Sequence, residues 1–305
     1  MTGPVFFRKN DTFTSLSSHK QYRTLKGNRM SYKVILVHLD AARNIDLRIQ
    51  FAIQIAKVEQ AQLIGIAAVG LSRYFFESAL SAESLYPVYQ ELDAARDNAK
   101  AVAKKFEEEC WRAKITFCES HVVEDDAYGS LERRARYCDL LMLGQYDAQN
   151  TMNPMDASLA RDMLLSSGGP ILLVPQGEGL TKAERRVLIA WNGSIEARRA
   201  VQHALPLLRH AETINVVVFS PTGEGEDLGT RLLTFLHRHG ITAGLVNEVG
   251  TYHDAQKLLL TTVADTKSNL LVMGGYGHTP FQETLLGGVT RAVLHAMPVP
   301  VLMSH

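Results

Sequence analysis

The chain has 305 residues, 46% of them apolar and 21% charged, with Lys+Arg and Asp+Glu equal at 32 each. That balance excludes a global basic field for nucleic acid and an acidic tail, and no apolar run reaches the ~18–20 residues of a membrane helix. Three cysteines with no Cys-x2-Cys spacing, Cys110, Cys118 and Cys138, argue against a disulfide framework and for a reducing compartment.

Residues 1–30 are polar and basic, lack the apolar core of a secretory signal, and read as a disordered extension. Apolar runs then predict strands at 33–39, 62–69, 115–122, 140–143 and 170–174. Helical periodicity covers 46–59 and 91–111; in the second, Leu92, Ala95, Ala99, Val102 and Phe106 share one face. Between residues 71 and 93 stand Tyr74, Phe75, Phe76, Tyr86 and Tyr89. They suggest a surface loop packed by its own aromatics, with a lid or interface patch as the other reading. Residues 177–184, rich in Gly and charge, read as a linker. A second series follows, with strands at 186–190, 213–220, 242–249, 269–273 and 299–303 and helices at 195–209, 226–239, 252–266 and 289–296. Strands alternating with helices imply parallel pairing through right-handed crossovers.

The two series are copies. Asp139–Gly144 mirrors Asn269–Gly274, and in step without a gap Pro170–Leu173 mirrors Pro300–Met303 and Arg161 mirrors Arg291. Val34–Asp40 mirrors Val187–Asn192. Domain boundaries follow at 31–176 and 185–305.

Glycines cluster after the 269–273 strand, at Gly274, Gly277, Gly287 and Gly288, where a strand exit meets a helix entry. Glycine permits a sharp turn and close backbone approach. A helix start offers free N–H groups and a positive dipole end, which suits phosphate. The spacing Gly-x2-Gly-x9-Gly-Gly is not the P-loop pattern. With its following helix and proline-bearing last strand, it resembles the nucleotide signature of the universal stress protein family. Gly288 stands where that family usually has Ser or Thr, and Asn192 where it usually has Asp.

The resemblance implies two tandem open parallel five-stranded sheets of Rossmann-like type, forming an intramolecular pseudo-dimer through their last strands; a homodimer is left open. It implies ATP or another adenine nucleotide, with Mg²⁺ allowed beside it, in the second domain. The implied contacts are Asn192, Gly193, Gly274, Gly277, His278, Gly287, Gly288, Val289 and Thr290, with adenine near Val217 and Val218. Ser194 is expected to cap the helix after Gly193. In the first domain Gly144 is kept, but Asp147, Ala157 and Ser158 replace the other glycine positions, and Asp156 adds charge. Asp40 keeps the family's acidic residue without its glycine partners. That copy therefore reads as non-binding.

Other residues point to less. His203 and His210 share a helix face but lack carboxylate company, and Arg198 and Arg199 read as a solvated run. No metal site, Walker lysine or catalytic base stands out. The expected function is a non-catalytic, cytoplasmic nucleotide-binding stress protein. A nucleotide-free assembly module is the alternative, and a slow ATP hydrolase the third reading.

Overall fold

The computed structural model describes residues 31–70, 82–146, 156–176, 185–219, 225–248, 255–276 and 288–305. In the first half the strands are β1 (Val34–His38), β2 (Gln62–Ala68), β3 (Cys118–Val123), β4 (Leu140–Gly144) and β5 (Ile171–Val174). Its helices are α1 (Ile45–Glu59), α2 (Ala82–Arg112), α3 (Ala127–Ala135) and α4 (Asp156–Ser166). The second half carries β6 (Arg186–Ala190), β7 (Thr213–Phe219), β8 (Gly244–Glu248), β9 (Leu270–Gly274) and β10 (Val301–Ser304). With them run α5 (Ile195–Leu208), α6 (Gly225–Arg238), α7 (Ala255–Asp265) and α8 (Gly288–Ala296).

All ten strands form one sheet, in the order β3-β2-β1-β4-β5-β10-β9-β6-β7-β8. Every neighbour pair is parallel except β5 with β10, which run antiparallel with Leu172 opposite Leu302. The two expected five-stranded sheets are therefore halves of a single one. An open last strand would leave N–H and C=O groups unpaired in an apolar setting, and pairing β5 with β10 removes both edges at once. The four-residue runs Ile171–Val174 and Val301–Ser304 are buried throughout, as strands covered on both faces must be.

Strand residues alternate between two apolar layers. One layer holds Ile49 and Ile55 of α1, Phe106 of α2, Ala200 and Leu205 of α5 and Leu236 of α6. The other holds Leu131 of α3, Met163 of α4, Val263 of α7 and Val293 of α8. Each half is thus doubly wound, with helices on both faces.

Two expectations need correction. Residues 82–90, taken as part of a surface loop, belong to α2, which starts at Ala82. Pro87 lies near that helix's N-terminal end, where the loss of one backbone bond is outweighed by the turns that follow. Helices α3 and α4 were not separately read from the sequence. Asp126 begins α3 by accepting a hydrogen bond from the Gly129 N–H at 2.8 Å.

Leu302 is wholly buried at the seam. Its replacement by Ala should cost roughly 2–5 kcal/mol. Because the sheet is continuous, chemical denaturation should remain a single transition when followed by tryptophan fluorescence and by circular dichroism. Two separated transitions in the wild type would contradict a join of this strength.

Candidate functional site

In an open α/β sheet the crevice for a ligand lies beyond the carboxyl ends of the strands, where strand order reverses. There are two such points, between β1 and β4 and between β6 and β9.

The second-half point is built from backbone. Gly193 follows β6 with φ +75°, a left-handed conformation that favours glycine. A Cβ there would stand 3.3 Å from the Leu228 side chain of α6. Asn192 accepts a hydrogen bond from the Ser194 N–H at 3.1 Å, closing a local turn. Ser194 caps α5 as expected, its hydroxyl accepting from the Ala197 N–H at 3.2 Å. Gly274 ends β9 directly against that helix start: a Cβ would lie 2.7 Å from the Glu196 carbonyl carbon. The loop after β6 and the exit of β9 therefore meet, as the glycine pattern implied.

Val289 and Thr290 are half-buried in the first turn of α8, which opens at Gly288. The Thr290 methyl lies 3.7 Å from where a Gly275 side chain would begin, so this helix start also faces the β9 exit. Gly277, His278 and Gly287 lie outside the described residues. Val217 and Val218 are both buried, but in opposite layers of the sheet. Consecutive strand residues point to opposite faces, so the two cannot both line one adenine. Next to Asn192, the indole N–H of Trp191 is buried without an acceptor among the described residues. Arg198, expected on a solvated face, stacks its guanidinium 4.6 Å above the Phe235 ring.

The first-half point is built from charge. Arg48 of α1 is fully buried and fills it. Its Nη1 donates to the His38 carbonyl at 2.6 Å and to Asp40 at 3.0 Å. Its Nη2 donates to the other Asp40 oxygen and to Asn44, each at 3.1 Å. Asn44 in turn donates to the Val174 and Pro175 carbonyls at the end of β5. A Cβ on Gly144, the counterpart of Gly274, would overlap the guanidinium. Asp40 thus has partners after all, and they belong to the chain. Burial alone would raise its pKa, but Arg48, with His38, holds the carboxyl below its ordinary value. Burial drives the His38 pKa down from 6.5 to about 4, against the pull of Asp40.

Arg48, Asn44 and His38 did not figure in the sequence-based expectation. The available signal was a cation at a core-facing helix position, in step with buried Ala52 and Ile55. His210, expected to lack a carboxylate, stands 3.7 Å from Glu59 of the first half. His203 shares a hydrogen bond with the Ser304 hydroxyl at 2.9 Å. Among the described residues no group of three His, Cys, Asp or Glu side chains could hold a metal ion, and no helix is long and apolar enough to cross a membrane.

Residues 184–305 match the family model described as the universal stress protein family. No curated protein matches the chain in sequence. Among solved structures, a universal stress protein from Archaeoglobus fulgidus is similar with TM-score 0.67 at 19% identity, over 88% of this chain and 97% of that one. A putative universal stress protein from Pseudomonas aeruginosa follows with TM-score 0.57 at 18% identity, over 89% and 92%. The cytoplasmic domain of a prokaryotic cation chloride cotransporter reaches 0.51 at 13%, over 88% and 94%. At these identities the likeness is one of fold.

His38 makes stability depend on pH. The unfolded chain takes up a proton near pH 6.5 and the folded one only near pH 4, so the unfolded state binds more protons between those values. Stability should therefore fall as pH drops through that window, by up to about 3 kcal/mol. His38→Gln should flatten this slope in urea titrations at pH 7, 6, 5 and 4. An unchanged slope would contradict a neutral, buried His38.

Proposed function

We propose that the chain is a tandem universal stress protein whose second half binds one ATP, or another adenine nucleotide, without turning it over. The observation that carries this reading is the contrast between the two switch points. In the first half a guanidinium occupies the crevice. In the second, glycine backbone and two helix starts border it, and the family model matches that half alone. Backbone N–H groups at the starts of α5 and α8 suit phosphate oxygens.

On this reading Asn192, Gly193, Gly274, Gly277, His278, Gly287, Gly288, Val289 and Thr290 border the nucleotide, with Mg²⁺ allowed at its phosphates. Gly288 supplies a backbone N–H where the family's usual Ser or Thr would add a hydroxyl. Of the two valines, one alone faces the base. The chain works in the cytoplasm, and nucleotide occupancy is its output to a partner in stress response. The alternative is an assembly module without nucleotide.

Calorimetric titration with ATP decides between them. The expected stoichiometry is one per chain. Gly277→Val should abolish binding, because a β-branched side chain restricts the backbone and fills the approach path. Asp147→Val, at the matching first-half position, should leave it unchanged. A stoichiometry of two would overturn the closed first half, and no uptake at millimolar ATP would favour the assembly module.

A further inference from the structure

We propose that Leu164, on α4 of the first half, is a positioning residue for the ligand loop of the second half; the proposal rests on the nucleotide reading above for its functional consequence. Leu164 is buried across the seam from the β9 exit. A side chain on Gly275 would begin 2.6 Å from its Cδ2, so the leucine and the Gly275 backbone are in close contact.

Gly275 is held on its other sides as well. Its N–H donates to the Ser304 carbonyl at 3.0 Å. Its carbonyl shares a hydrogen bond with His305 Nδ1 at 3.2 Å. The Thr290 methyl of α8 lies 3.7 Å from the same Gly275 Cβ position. The strand exit is thus wedged between the first half, β10 and the first turn of α8.

The next residue records the effect. Tyr276 has φ +54°, a left-handed conformation that costs a non-glycine residue roughly 1–2 kcal/mol. The other non-glycine residues with positive φ among the described ones are Gln60, Lys114 and Lys267, each just past a helix. Tyr276 alone of the four leaves a strand. Its copy in the first half, Tyr146, stands at the same place after β4 and does not share that conformation. One amino acid at two equivalent positions thus takes two conformations.

The residue before each tyrosine differs. The copy of Gly275 is Gln145, whose side chain reaches over and donates to the Leu294 and His295 carbonyls at the end of α8. A residue with a side chain fits there, because it meets open carbonyls. The copy of Leu164 is Leu294, beside which Gln145 is accommodated; at Gly275 the Leu164 side chain lies where a side chain would begin. Tyr276 itself packs in the same apolar layer as Leu164. The first half therefore sets the direction in which the chain leaves β9 toward the remaining glycines.

The test compares four full-length forms: wild type, Leu164→Ala, Gly275→Ala and the double variant. Hydrogen–deuterium exchange over peptides containing Gly274–Tyr276 and Gly288–Thr290 reports the loop exit without any nucleotide. ATP titration reports the site. Gly275→Ala should speed exchange in both peptides about fivefold or more and weaken ATP about tenfold. Adding Leu164→Ala should return both readouts to within about threefold of wild type, since the new methyl takes the space the leucine leaves, a non-additive pattern expected of residues in contact. A double variant equal to the sum of the singles would reduce Leu164 to a core filler and overturn the proposal. So would unchanged exchange in Gly275→Ala, or restored exchange with no effect on ATP affinity in a wild type that binds it. If exchange follows the expected pattern while the wild type takes up no ATP, the positioning stands and the nucleotide assignment fails.

Discussion

Three residue pairs, Ile171–Met303, Leu172–Leu302 and Leu173–Val301, join the two halves of this chain in the only antiparallel ladder among its described residues. Much of the rest depends on that ladder. It closes two apolar edges that could not face water. It also reverses one half relative to the other, so the carboxyl ends of β1 and β4 lie at the opposite sheet edge from those of β6 and β9. Hence the lower end of α4 comes against the upper end of β9, and Gln145 reaches the end of α8. Tyr32 adds a further tie, donating to the His203 carbonyl at 2.6 Å. Neither half could present these surfaces correctly alone.

The duplicated fold holds two crevices with opposite contents. One is filled by a guanidinium that satisfies a carboxylate, a carbonyl and an amide, and is braced through Asn44 to β5. The other is bordered by backbone with no side chain intruding from Gly193 or Gly274. A buried cation tolerates no second occupant. The same strand order thus carries a guanidinium at one switch point and glycine backbone at the other.

The strands were legible because buried parallel strands are short unbroken apolar runs; Leu140–Gly144 and Leu270–Gly274 declare themselves. Helices α3 and α4 are harder. Glu132, Arg133 and Arg134 make α3 look like surface, and its apolar face is only Leu131 and Ala135 wide. The offset between the copies carried the missing information, since α7 and α8 fall in step with them. In the site, the glycine positions could be read because only backbone geometry was at stake. For Arg48 the helical register marks a core-facing cation, but the Asp40 carboxylate, the Asn44 amide and the His38 carbonyl that pair it converge only in three dimensions. Val217 and Val218 show the reverse error: a pair adjacent in sequence is split by the pleat.

The Arg48–Asp40 pair also bears on how the first half could change over evolutionary time. Replacing the arginine first takes the charged partner from a part-exposed Asp40 carboxylate and a donor from the His38 carbonyl and the Asn44 amide oxygen. Replacing the aspartate first strands a wholly buried cation. Both steps destabilise; the second, which leaves the buried cation unpaired, costs about 3 kcal/mol or more, a large share of the roughly 5–15 kcal/mol that keeps a domain folded. Reopening the crevice demands two coordinated substitutions, and each intermediate is penalised by selection on stability. The ion pair acts as a ratchet: once such a plug is set, drift can alter the surface around it but cannot readily reverse it.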